Sequence, residues 1–145
     1  PTGSTVTLSA PGFLDGSATV TVVQPVVELA GLLSPIAAGA ANRNFFPRVG
    51  VAQGQNFATE QPRRAGAAPL TVTLTNSQAG VARLVTTALT GQTVTVQIAA
   101  RESRTGIVAN GGIDFDPLAA GTTVVSASIP GFASLPTATR TVVVN

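Results

Sequence analysis

The clearest signal along the chain is an alternation of apolar and hydroxyl-bearing positions with a period of two. Leu70, Val72 and Leu74 fall on one side of an extended segment, with Thr71, Thr73 and Thr75 on the other. Val94, Val96 and Ile98 are set in the same way against Thr93, Thr95 and Gln97. Near the start, Val6 and Leu8 alternate with Thr5 and Thr7, and Val20 and Val22 with Thr19 and Thr21. Shorter strands are predicted over 81–85, 113–115, 123–127 and 139–144. Turn residues separate these runs: Asn76 to Gly80, Thr90-Gly91, and Asn110-Gly111-Gly112, where Asn and Gly tolerate the positive φ of tight turns. No helical period is sustained anywhere. Many short strands with frequent turns predict an all-β chain, an antiparallel β-sandwich.

The stretch 34–68 breaks the pattern. It is rich in Ala and Gly and carries Phe45, Phe46 and Phe57 together with Arg43, Arg48, Arg63 and Arg64. Strands are predicted over 26–33 and 45–52, and 37–42 reads equally as a helical turn or a loop. From 53 to 68 no period is visible, and an irregular segment of this length usually has a partner or a task.

The two ends repeat each other. Gly3-Ser4-Thr5-Val6 matches Gly121-Thr122-Thr123-Val124 at a spacing of 118, Pro11-Gly12-Phe13 matches Pro130-Gly131-Phe132 at 119, and Ala18-Thr19 matches Ala138-Thr139 at 120. A strand, a Pro-Gly turn with an aromatic, and a second strand occur twice, which predicts a repeat of ~120 residues. Residues 1–23 are then a terminal hairpin of a preceding repeat, or a hairpin donated to a neighbouring subunit. Residues 24–145 form the sandwich, with the irregular segment at about 34–68. A hairpin alone is marginal in water, so 1–23 needs a sheet to rest on.

Composition narrows the chemistry. Of 145 residues 44% are hydrophobic and 10% charged, and Cys, His, Met, Trp and Tyr are all absent. Without Cys or His there is no disulfide, no ordinary zinc or haem site, and no His general base. A hydrolase would need Ser or Thr beside an acidic base, and no such pair can be named. The basic side chains are 8 Arg with no Lys, set against 6 acids. The isoelectric point near 11.2 reflects the lack of groups titrating below Arg, not a basic surface, so no nucleic-acid partner is expected. The longest apolar stretch, 25–41, is broken by Glu28 and Pro35 and is not expected to enter a membrane.

The strand-and-turn series has a family likeness. The run 70–75, then Val81-Ala82-Arg83-Leu84, Gln92 to Val96, Gly121 to Val124, Pro130-Gly131-Phe132 and a terminal Thr-Val strand resembles the bacterial immunoglobulin-like modules found in tandem in adhesins and other exported surface proteins. The resemblance covers roughly 69–144, and again 3–23. It implies an immunoglobulin-like sandwich, an extracellular or cell-surface setting, and a non-enzymatic spacer or fibre role with adjacent repeats or copies of itself as partners. A glycan- or calcium-binding adhesion module is the alternative. The lysine–asparagine cross-link that hardens some stalk modules is impossible in a chain without Lys.

Four sets of side chains carry what site chemistry there is. Asp114 and Asp116 flank Phe115 on one strand and offer carboxylate oxygens to Ca²⁺, with Glu102 the other acid near in sequence; calcium takes six to eight oxygens, and the competing reading is two solvated carboxylates. No other cofactor is expected. Arg63-Arg64 suggests a polyanion contact or simply a solvated loop. Phe45-Phe46 suggests a docking wedge, with at least one ring in the core. Val6, Leu8, Phe13, Val20 and Val22, with Phe45 and Phe46, are the candidate assembly residues.

Overall fold

The computed structural model describes residues 2–145, and it is all-β. The twelve strands are β1 (Thr2–Leu8), β2 (Gly16–Val22), β3 (Val26–Ala30), β4 (Arg43–Gln53), β5 (Asn56–Glu60), β6 (Leu70–Asn76), β7 (Ala82–Val85), β8 (Thr90–Gly91), β9 (Thr93–Ile98), β10 (Ile113–Pro117), β11 (Gly121–Ser128) and β12 (Thr139–Val144). They form three antiparallel sheets. β1 and β2 pair only with each other; β3-β4-β10-β7-β8 run in that order with β5 also on β4; and β12-β11-β6-β9 make the third.

The alternation that marks the strands also fills the core. Val72 and Leu74 of β6, Val94, Val96 and Ile98 of β9, Val125 of β11 and Val142 and Val144 of β12 are buried. They meet Phe45 and Val49 of β4, Leu84 of β7, and Ile113 and Phe115 of β10 in one apolar cluster supplied by both larger sheets. Each large side chain so buried contributes about 1.5–3 kcal/mol of transfer free energy.

The chain crosses between these sheets at the β6–β7 corner, and a buried amide holds that corner. Asn76 donates from Nδ2 to the carbonyls of Gln78 (3.0 Å) and Ala82 (2.6 Å). Its Oδ1 accepts from the hydroxyl of Thr123 on β11, whose own oxygen accepts the amide N–H of Gln78 at 3.1 Å. Asn76 and Thr123 are both buried, and every polar atom named here is paired.

β4 reaches three partners along its length: β10 at Arg43 to Phe45, β3 at Phe46 to Gly50, and β5 from Gly50 onward, with a bulge between Val51 and Ala52. Strand β5 corrects the expectation of an unpatterned 53–68. It is a short strand against β4 with most of its side chains open to solvent, so no apolar alternation marks it. The segment 37–42 is a turn and loop, not a helix. Thr90-Gly91, expected only as a turn, pairs with Leu84 and Val85.

Strands β3 to β12 begin and end at opposite poles. Val26 bridges Ala133, just past the β11–β12 turn, and the amide of Ala133 donates to Pro25 O at 2.9 Å. Val144 lies at the far end of that hairpin, where it bridges Ile36 and pairs with Gly121.

Candidate interaction surface

The β1–β2 hairpin has two faces of opposite chemistry. Pairing sets Thr2 against Val22, Ser4 against Val20, Val6 against Ala18 and Leu8 against Gly16. Opposed residues of an antiparallel pair share a face, so Val6, Leu8, Ala18, Val20 and Val22 lie together. The other face holds Gly3, Thr5, Thr7, Ser17, Thr19 and Thr21. Every residue from Thr2 to Pro25 is exposed, so neither face is covered. At the tip, Leu8, Ala10, Phe13, Leu14 and Gly16 line an open apolar hollow. Asp15 is the one ionisable side chain between residues 2 and 27, so docking this face would desolvate almost no charge.

Of the residues expected to mediate assembly, Val6, Leu8, Phe13, Val20 and Val22 therefore sit on one hairpin, four of them on one face and Phe13 at its tip. Phe45 does not belong with them. It is fully buried on β4 with no surface to offer another chain, because the alternation that turns Asn44 and Phe46 outward turns Phe45 into the core. Phe46 is half-buried beneath the Arg104 guanidinium, which stands 5.4 Å from its ring centre. Leu14, 98% exposed, was missed by the period-two reading because it lies in the turn. Its signal was its place beside Phe13 in the turn between two strands.

The acids do not converge. Asp114 and Asp116 both lie half-buried on β10, and Asp114 Oδ1 accepts from Asn44 Nδ2 at 3.1 Å. Glu102 is exposed and lines a separate hollow with Gln97, Arg104 and Asn110. Among the described residues no three acidic side chains gather where they could share an ion. Arg63 and Arg64 are also split: Arg63 donates to Ile98 O at 3.4 Å and its backbone pairs with Glu102 and Arg101, while Arg64 faces solvent.

A charged cluster does assemble, from residues distant in sequence. Arg48 on β4 bonds to Glu28 of β3 and, at 2.9 Å, to Glu60 of β5, with its guanidinium 4.8 Å from the centre of the Phe57 ring. The Ser103 hydroxyl donates to Glu60 at 2.6 Å. That bond, then Arg48, holds the Glu60 carboxyl below its ordinary value. Burial works against the Arg48 charge, but its bonds to Glu60 and Glu28 outweigh burial and raise its pKa. All three guanidinium nitrogens of Arg48 are engaged, Nε and Nη2 with Glu28 and Nη1 with Glu60, so the cluster ties three strands together and leaves no free donor fork for a ligand.

No protein-family model matches the chain, and no curated protein does.

Proposed function

We propose that this chain is a non-enzymatic structural module of an exported bacterial surface polypeptide, an immunoglobulin-like sandwich that serves as a spacer or fibre repeat. The strand orders β3-β4-β10-β7 and β12-β11-β6 agree with the two sheets of an immunoglobulin constant-type domain, ABED and GFC, taken in chain order. In this reading β9 is an added strand beside β6, and β5 and β8 are short edge additions. The shared apolar cluster is what two facing sheets require.

The observation that carries the mechanical role is where the body of strands β3 to β12 is entered and left. The path enters β3 beside the β11–β12 turn and leaves β12 at the other end of that hairpin. Modules joined through such ends add length with each repeat, at roughly 3.3 Å per strand residue. The exposed apolar face of β1–β2 supports joining by strand complementation.

Small-angle scattering on chains carrying one, two and three copies of residues 24–145 tests the spacer. The maximum dimension rises linearly with copy number if the ends are polar; a dimension growing only as a compact cluster would overturn the reading. Calorimetric titration with Ca²⁺ and with a glycan panel gives no heat for a spacer, and saturable heat would replace it with a binding module.

A further inference from the structure

The terminal hairpin and β11–β12 share a turn and a strand register in two environments, the second connection being longer and holding a 3-10 turn at Pro136–Ala138. Their turns coincide: Phe13 N–H donates to Ala10 O at 3.1 Å and Phe132 N–H to Ile129 O at 3.1 Å, with Gly12 at φ 83° and Gly131 at φ 82°. These turns lie 119 positions apart, and that offset carries all of β1 onto β11. Pairing register then carries β2 onto β12 at an offset of 122, Ser17 onto Thr139 and Val22 onto Val144. The spacings of 118 and 120 expected for the strands are corrected here. An offset wrong by one in a strand exchanges its faces, and matching Val6 to Val124 would send the apolar face outward.

With the register set by pairing, each inward residue of β11–β12 has a counterpart. Val6, Leu8, Val20 and Val22, 52–76% exposed, fall on Val125, Ala127, Val142 and Val144, which are at most 6% exposed. Leu8 and Ala10 fall on Ala127 and Ile129, so the larger and smaller side chains trade places along one face and total volume is nearly kept. Ser4 falls on Thr123. Thr2 shares this face, but Ser4 is the hydroxyl that stands where the fold needs one, since Thr123 bonds to Asn76.

We infer that the β1–β2 hairpin closes a second body of this same fold, one equivalent to residues 24–120 whose place for β11–β12 is vacant. The open edge of β1 pairs with that body's counterpart of β6, as Val125 to Ser128 pair with Thr73 to Asn76. The apolar face replaces Val125, Ala127, Val142 and Val144 over its core, and Ser4 bonds its counterpart of Asn76. This deepens the structural-module reading and rests on it, while naming the partner and the register.

The test supplies that body. Residues 24–120 are fused directly ahead of Thr2 in the full chain, and amide exchange is followed in the hairpin. Exchange across Thr2–Val22 is expected to slow by roughly 100-fold or more relative to the unextended chain. In the extended chain Leu8→Asp abolishes that protection and Thr19→Asp, on the hydroxyl face, keeps it. Unchanged exchange on extension overturns the inference, as does equal loss from both substitutions. Ligand heat in the titrations above sinks the spacer role without altering hairpin exchange, so the two failures are distinguishable.

Discussion

The Thr123 hydroxyl donates to the side-chain oxygen of Asn76, and both groups are shut away from solvent at the corner where the chain passes from one sheet to the other. Asn76→Ala strands the carbonyl of Ala82 and removes the acceptor of Thr123. It is expected to cost about 2–4 kcal/mol, as lost hydrogen bonds to groups that stay buried. Thr123→Val costs less in packing but leaves Asn76 Oδ1 unpaired. Chemical denaturation of the two single variants and the double variant checks this, the double being less destabilised than the sum because the two side chains share a bond.

The hairpin is expected to contribute nothing to the stability of the rest. Deleting residues 2–22 removes no side chain from the core cluster, which draws on β3, β4, β6, β7, β9, β10, β11 and β12. Calorimetry should give the same unfolding midpoint within about 2 °C, since surface changes away from packed groups stay within about ±0.5 kcal/mol. A drop of about 10 °C would mean that β1–β2 packs on its own body.

Acid should weaken the β3–β4–β5 junction through Glu60. Its carboxyl is held below the ordinary value first by Ser103 and then by Arg48, so the folded chain binds that proton less readily than the unfolded one. The associated stability is full above the unfolded value of about 4.5 and is lost as pH falls through the lowered folded value. Ser103→Ala should shrink the acid-side slope of stability against pH, and Glu60→Gln should remove this contribution. Denaturation midpoints between pH 2 and pH 6 measure both.

Strands with one face in the core were legible because burial writes itself as alternation: β6 and β9 show it residue by residue. β5 was not legible, since a strand exposed on most of its length is under no such constraint. The repeat was visible through its Pro-Gly-Phe turns, yet strand spacing misplaced the first strand by one and the second by two, because Gly-Ser-Thr-Val and Gly-Thr-Thr-Val align by identity while pairing aligns them by face. Phe45 and Phe46 are adjacent and chemically alike, so only the register of β4 decides which is core. The Arg48 cluster joins positions 28, 48, 57, 60 and 103, and no local pattern announces contacts at those separations.

Gly50 is where β4 changes partners, pairing with Val26 of β3 on one side and Glu60 of β5 on the other. A Cβ there would stand 2.0 Å from the carbonyl oxygen of Thr59 and 2.7 Å from the Phe57 ring. The Thr59 contact is backbone, so no rotamer change relieves it, and β5 must move away from β4. Moving β5 takes Phe57 from beneath Arg48 and Glu60 from its bond to Arg48, so one methyl group undoes the cluster as well as the pairing. Gly50→Ala should cost about 1–3 kcal/mol, the usual range for overpacking a filled site. The loss should be local: amides of β5 exchange faster while those of β6 and β9 keep their protection. Gly54, at φ 62° and with open space for 4 Å around the position a methyl would take, is the control for backbone conformation alone. Gly54→Ala should cost only about 1–2 kcal/mol from the left-handed φ, with the Arg48–Glu60 contact intact. If Gly50→Ala leaves β5 exchange unchanged, the close approach of the two strands is not what holds glycine at this position.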